Sequence, residues 1–277
     1  MRSFLSKYSN FTQRVVTGLT GAVILMTALS WSEWGYFICF LLVVVISQLE
    51  FYKLVGLDGM SPLKFWGTFT GLSVFVLSFL IERGSVNTNF YYLIFPIACG
   101  TFFIKLYKKS DKKPFTNIAF TLIGVIYIAL PIALLNISTF VMGQYSHEII
   151  IGLILIFWAS DIGAYFAGIK FGKRKLFERI SPKKSWEGAL GGAAFALLVA
   201  YLISLYFTDL TFINWMILGA IIIVGGTYGD LIESLFKRSI EIKDSGTKLP
   251  GHGGFLDRFD SLLIASPFLV AYLKLFL

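Results

Sequence analysis

The chain has 277 residues, of which 56% are apolar and only 14% charged, with a mean hydropathy of +0.76. A soluble domain carries about 25% charged residues, so this composition excludes a solvated globule, and its apolar content excludes a disordered chain. The net charge is +8; in so apolar a chain the basic residues report first on membrane topology, and no nucleic-acid partner is expected.

A bilayer core of about 30 Å needs roughly 20 apolar residues in a helix. Nine stretches come close: Val15–Trp31, Gly35–Leu49, Phe65–Ile81, Phe90–Ile104, Asn117–Met142, Ile149–Ile169, Trp186–Phe207, Phe212–Thr227 and Phe259–Leu277. Val15–Trp31 follows Arg2, Lys7 and Arg14, as the apolar part of a signal peptide would, but it is long for one and further spans follow. The fifth stretch contains Pro131, which predicts a kink. With the N-terminus inside, 22 of the 24 Lys and Arg fall in five cytoplasmic segments, and only Arg83 and Lys274 fall outside. The expected fold is therefore all-α: a polytopic integral membrane protein of about nine transmembrane helices with a cytoplasmic N-terminus. Cys39 and Cys99 lie in apolar runs, without metal-ligand or disulfide spacing, and read as small buried residues.

Residues 1–148, carrying spans 1–5, read as a scaffold, and the run Lys105–Lys113 as an orientation signal against anionic lipid. Residues 149–277, carrying spans 6–9, read as the catalytic region. Its two long cytoplasmic loops, Lys170–Ser185 and Tyr228–Arg258, hold most of the chain's unusual polar residues. The second begins on a predicted helix, where Asp230, Glu233, Ser234 and Lys237 share one face at i, i+3, i+4 and i+7. Lys243-Asp244 and the turn Pro250-Gly251-His252-Gly253-Gly254 follow. Asp257, Arg258 and Asp260 then open the last span, and the three-residue spacing lets both aspartates face the same way. Glycines there let backbone N–H groups approach a phosphate. Hard carboxylate oxygens without Cys pairs suit Mg²⁺ rather than Zn²⁺.

In the first loop, Ser181 is expected to cap a helix beginning at Pro182, placing Lys183 and Lys184 near a positive helix end suited to a triphosphate. The bland alternative is a capped helix with snorkelling lysines. Trp186 reads as an interfacial anchor. Asp161 lies inside the sixth span, roughly 12 Å from its end. An ionisable group at that depth must face protein, water or a ligand, either as a wall of the site or as a packing partner. Asp161, Tyr165 and Gly168 share a face.

The segment with Ser234, Lys237-Arg238, Lys243-Asp244, Pro250–Gly254, Asp257-Arg258 and Asp260 closely resembles the signature of phosphatidate cytidylyltransferases, or CDP-diacylglycerol synthases. Ser181-Pro-Lys-Lys-Ser-Trp-Glu-Gly188 is similar to a second family segment, with Ser185 where Thr is common, and Asp161-x-x-Ala-Tyr-x-x-Gly resembles a third. The resemblance is clear from Ile151 to Ser266. It implies cytidylyl transfer from CTP to phosphatidate, giving CDP-diacylglycerol and pyrophosphate, by a multi-pass enzyme of the cell membrane whose site faces the cytoplasm. Asp230 and Asp257 are the leading Mg²⁺ ligands, with Asp260 and Glu233 as candidates, for one ion or two. A monovalent cation and a homodimer are left open. Lys237, Arg238, Lys243 and Arg258 are candidates for the phosphates, beside Asp244. His252 suits a phosphate contact or turn support better than a general base, because a phosphate monoester is already ionised. Lys183, Lys184, Ser185, Ser234, Gly253, Gly254 and Asp161 are candidates for substrate binding.

Three rivals are distinguishable. A CDP-alcohol phosphotransferase would carry an Asp-Gly-x-x-Ala-Arg motif with trailing aspartates, which is absent. A CTP-dependent polyprenol kinase shares the nucleotide but not the Pro250–Asp260 pattern. An ion-coupled transporter would gather its charges near the midplane, not at one face.

Overall fold

The computed structural model describes residues 10–242 and 254–277, with side chains from Gly18 onward. The helices are α1 (Asn10–Trp31), α2 (Glu33–Leu57), α3 (Lys64–Glu82), α4 (Ile94–Tyr107), α5 (Pro114–Gly124), α6 (Leu130–Thr139), α7 (His147–Phe171), α8 (Trp186–Ser204), α9 (Phe212–Ser239) and α10 (Asp260–Phe276). A 3₁₀ turn over Thr88–Leu93 leads into α4, and another over Leu256–Arg258 precedes α10. Among the described residues, seven helical stretches are long and apolar enough to cross a membrane; α1 adds the shorter apolar run Gly18–Trp31, and α10 has 17 residues. Each of the nine expected stretches coincides with helix, and the protein is a polytopic membrane protein.

The departures have local causes. Lys170–Ser185 is not a featureless loop: β1 (Lys175–Phe177) and β2 (Ser181–Ser185) pair antiparallel, with Lys175 opposite Ser185 and Phe177 opposite Ser181. Ser181 therefore caps no helix, and Pro182 lies in a strand. Ser185 is the N-cap instead, in extended geometry, its hydroxyl accepting the Gly188 N–H at 3.1 Å. The helix start moves because Glu187 in its first turn accepts the N–H groups of Lys173 and Arg174, fastening the hairpin to α8. At the other loop, the helix expected to carry Asp230 to Lys237 is present and continuous with the eighth stretch, so that α9 runs 28 residues, roughly 42 Å, and outreaches a bilayer core. Cys99 is exposed and Cys39 only half-buried, so neither fits the buried reading. Lys105 is not a solvated orientation charge. It is buried, pairing with Asp111 and donating to the Ser61 carbonyl.

Just before Pro131, where a kink is expected, a π-turn over Val125–Ala129 joins α5 to α6. Proline has no N–H for the preceding turn, and the ladder slips register there. The Val125 N–H goes to Leu122 O, and the Tyr52 hydroxyl of α2 supplies the Thr121 carbonyl at 2.7 Å. Gln48, one turn earlier on α2, donates to Gly124 O at 3.0 Å. α2 is thus a buried pillar. Phe40 and Phe51 sit in its core face, and Phe51 stacks on Phe236 of α9 with ring centroids 5.1 Å apart.

Two close helix contacts position the site. On α7 and α8, Gly163, Ala164 and Ala167 meet Gly191 and Gly192, and a Cβ on Gly163 would lie 2.7 Å from the Gly191 carbonyl. Small residues allow such approach where lipid offers no hydrophobic drive. On α9, Gly225 and Gly229 do the same for α10. A Cβ on Gly229 would lie 2.5 Å from the Asp260 carbonyl and 2.8 Å from Ser261 Cα.

Candidate active site where four elements meet

α9 carries Asp230 just beyond its apolar stretch Phe212–Thr227. The Gly229 contact presses the first turn of α10, with Asp260, against it. The α7–α8 packing brings Asp161, and the hairpin brings Lys184. The Lys184 ammonium pairs with the Asp230 carboxylate. Asp161 lies within electrostatic range of Asp230, Lys184 and Arg258, and Asp260 within range of Asp230, Asp161 and Lys184. Asp161 keeps an exposed surface although it sits in the middle of α7. Asp260 is buried and accepts the Ser261 N–H at 2.6 Å.

A second cluster lies one turn further along α9. Lys237 pairs with Glu233 at 2.5 Å and with Asp257 at 3.5 Å. Glu233 is only 1% exposed and keeps one carboxylate oxygen without a partner. Beside it stands Tyr127, whose buried hydroxyl also has no partner and which lies in electrostatic range of Asp260 and Glu233. Asp257 and Asp260 therefore do not face the same way. The 3₁₀ turn ends between them, so Asp257 joins Glu233 and Lys237 while Asp260 joins Asp230 and Asp161.

The remaining candidates are dispersed. Strand alternation sends Lys183 to the face opposite Lys184, and Lys183 is exposed. The Ser185 hydroxyl is engaged as the α8 cap. Ser234 is half-buried on α9, Arg238 is exposed and donates to the Ile242 carbonyl at the helix end, and Gly254 is buried. Lys243, Asp244, His252 and Gly253 lie outside the described residues.

Chemically, five carboxylates, Asp161, Asp230, Glu233, Asp257 and Asp260, gather with three bases, Lys184, Lys237 and Arg258. The formal surplus of two negative charges and the all-oxygen donor set suit a hard divalent cation. The arrangement is not a ready cage: among the described residues no three acidic, His or Cys side chains are grouped to hold an ion, and Asp230 is engaged by Lys184.

Two contributors come from the half read as scaffold. Tyr127 was hidden in an apolar run, and its placement depends on the π-turn. Glu50 of α2 is 1% exposed, and its carboxylate accepts the Phe255 N–H at 2.9 Å, just before the Leu256–Arg258 turn. Its signal was available in the sequence: a carboxylate one residue past an apolar stretch that ends, as helix, only at Leu57.

The fold and this cluster define a polytopic membrane protein with a mixed acidic and basic centre. The profile of the cytidylyltransferase family matches residues 12–276, and the chain belongs to that family. It is 44% identical over 137 residues to a phosphatidate cytidylyltransferase of Haemophilus influenzae, covering 45% of this chain and 47% of the relative. With the Bacillus subtilis protein of that name it shares 40% identity over 167 residues, 58% of this chain and 60% of the relative. With that of Staphylococcus haemolyticus it shares 30% over 258 residues, 92% of this chain and 96% of the relative. The matched stretches thus span about half of the first of these relatives and nearly all of the third.

Proposed function

We propose that the chain transfers a cytidylyl group from CTP to phosphatidate, giving CDP-diacylglycerol and pyrophosphate for phospholipid biosynthesis. The observation that carries this reading is the meeting of Asp161, Asp230, Asp260, Lys184 and Arg258, from five elements, beside the polar end of α9. A site there can meet a soluble nucleotide and a lipid that stays in its leaflet. The relatives' names and the family signature point to the same substrates.

In the reaction, a phosphate oxygen of phosphatidate attacks the α-phosphorus of CTP. A new P–O bond forms to that phosphorus, and its bond to the bridging oxygen breaks, releasing pyrophosphate. Both reactants are strongly anionic, so positioning and charge neutralisation carry the catalysis. Lys184, Lys237 and Arg258 would neutralise phosphate oxygens. The lipid phosphate needs no strong base to ionise it. Asp230 with Asp260 in the first cluster, and Asp257 with Glu233 in the second, would hold Mg²⁺, one ion or two, or a monovalent cation beside it. Bound there, the metal supplies a positive charge that draws electron density from the phosphoryl oxygens. Tyr127, buried in electrostatic range of Asp260 and Glu233, would donate its hydroxyl to them. The site is read as facing the cytoplasm, where CTP is found, in a cell-membrane protein that acts alone or as a homodimer.

The direct test uses the purified full chain in phosphatidate-containing vesicles with labelled CTP. A labelled lipid product that disappears with a chelator and returns with Mg²⁺ is expected. Phosphorylation of an added polyprenol, with no label entering the phosphatidate-derived lipid, would assign the site to the kinase class instead.

A further inference from the structure

Glu50 stands 205 positions before the residue it binds. It lies on α2 between Gln48 and Tyr52, which hold the π-turn, and next to Phe51, which stacks on α9. Its own carboxylate points the other way, and one oxygen accepts the Phe255 N–H at 2.9 Å and lies 3.5 Å from the Leu256 nitrogen. These two amides open the turn that presents Asp257 and Arg258. The opening amides of a short helical turn have no partner within it, and an orphan N–H in a buried place is costly. Phe255, at the N-cap position, has no side-chain capping bond to offer the turn. The acceptor comes from a different span.

A carboxylate this buried is itself expensive, and a packing residue of the same volume would fill the space without that cost. A buried carboxylate accepting backbone N–H groups is a strong, directional tie. The turn it fixes also aims its two flanking charges at different clusters: Asp257 to Lys237, and Arg258 to the vicinity of Asp161. A rotation of that backbone would misdirect both together.

We infer that Glu50 is a positioning residue for the transfer reaction: through the backbone of Phe255 and Leu256 it sets the orientation of Asp257 and Arg258, and so makes α2 part of the active-site framework. This rests on the reading of the site given above, and one arm of its test does not.

The test compares Glu50→Gln, which keeps an acceptor oxygen of the same reach, with Glu50→Leu, which removes it. All are full-length proteins in the same detergent. Hydrogen exchange is read on peptides covering residues 254–262. In Glu50→Leu the amides of Phe255 and Leu256 should exchange at least about tenfold faster than in the unaltered protein, while those of α7 and α8 are unchanged; Glu50→Gln should stay within about threefold. Equal protection in Glu50→Leu would overturn the inference, whatever the protein's activity. In the transfer assay, Glu50→Leu should lose about a hundredfold in kcat, with the KM for CTP changed less than about threefold, and Glu50→Gln should recover most of that loss. A loss in Glu50→Leu accompanied by uniformly faster exchange in all helices would also overturn it, by making Glu50 a residue of general stability. If the unaltered protein forms no CDP-diacylglycerol while the exchange pattern is as expected, the function reading fails, and Glu50 is left as the residue that fixes the turn carrying Asp257 and Arg258.

Discussion

Lys184 and Lys183 are adjacent in sequence and look equivalent there, yet only Lys184 reaches Asp230. Lys184→Ala should raise the KM for CTP about tenfold, the size of one charge-assisted contact, while Lys183→Ala stays near the unaltered value. Steady-state kinetics with varied CTP checks this, and equal effects would mean that both lysines act only through general charge. Asp230→Asn and Asp257→Asn keep volume and remove charge; each should lower turnover on the order of 10²–10³-fold in a protein that still inserts and folds. Retained Mg²⁺ dependence and near-normal turnover in Asp257→Asn would remove it from the metal set. The polar residues of the last loop were legible because carboxylates at a membrane boundary need a reason. Tyr127 was not, because an aromatic in an apolar run is ordinarily core or lipid-facing, and only the π-turn with its partnerless hydroxyl sets it apart.

Helix-to-helix distance is the next determinant. Gly229 lets α10 approach so closely that a methyl group there would meet backbone, whereas a Cβ on Gly226 would be 3.5 Å from its nearest neighbour, an ordinary contact. Gly229→Ala should therefore cost about 1–3 kcal/mol and separate Asp260 from Asp230, with loss of most turnover. Gly226→Ala should change neither the unfolding temperature nor the rate. Thermal unfolding in detergent beside the transfer assay distinguishes the two. Ser185→Ala should remove the α8 cap at about 1 kcal/mol. The spans were legible as elements because apolar length is counted easily. The hairpin was not, because Ser-Pro before two lysines is an equally good helix-start pattern. What decided against it was Glu187, whose reach back to Lys173 and Arg174 is a tertiary contact.

For the molecule as a whole, basic asymmetry among the loops predicts orientation. With Cys39 and Cys99 replaced, single cysteines near Lys112 or Arg174 should resist an impermeant thiol reagent in intact cells, and those near Ser85 or Gly143 should react. The reverse pattern would invert the topology and remove the site from CTP. The same loops contain a second, acid-sensitive tie. Burial pushes the Asp111 carboxyl up, but hydrogen bonds from Lys105, the Lys113 N–H and Asn117 more than reverse this and hold it below the ordinary carboxylate range. A depressed folded-state value means stability that is full above the unfolded value of about 3.9 and is lost as pH falls from there through the lowered one. Asp111→Asn should be less stable at neutral pH and should flatten that acid limb of the unfolding curve.

The tie between Glu50 and Phe255 also has a meaning in time. A membrane chain is inserted from its N-terminus, and α2 is laid into the bilayer long before the residues it clasps have been made. Until α10 arrives, the buried Glu50 carboxylate lacks the Phe255 and Leu256 amides, the Gly225–Gly229 strip of α9 faces lipid, and Tyr127 has no Asp260 beside it. Contacts so distant in sequence close last. The final span is thus the step at which a set of inserted helices closes the proposed site, and a chain stalled before it would hold nearly all of its apolar mass and only part of that site.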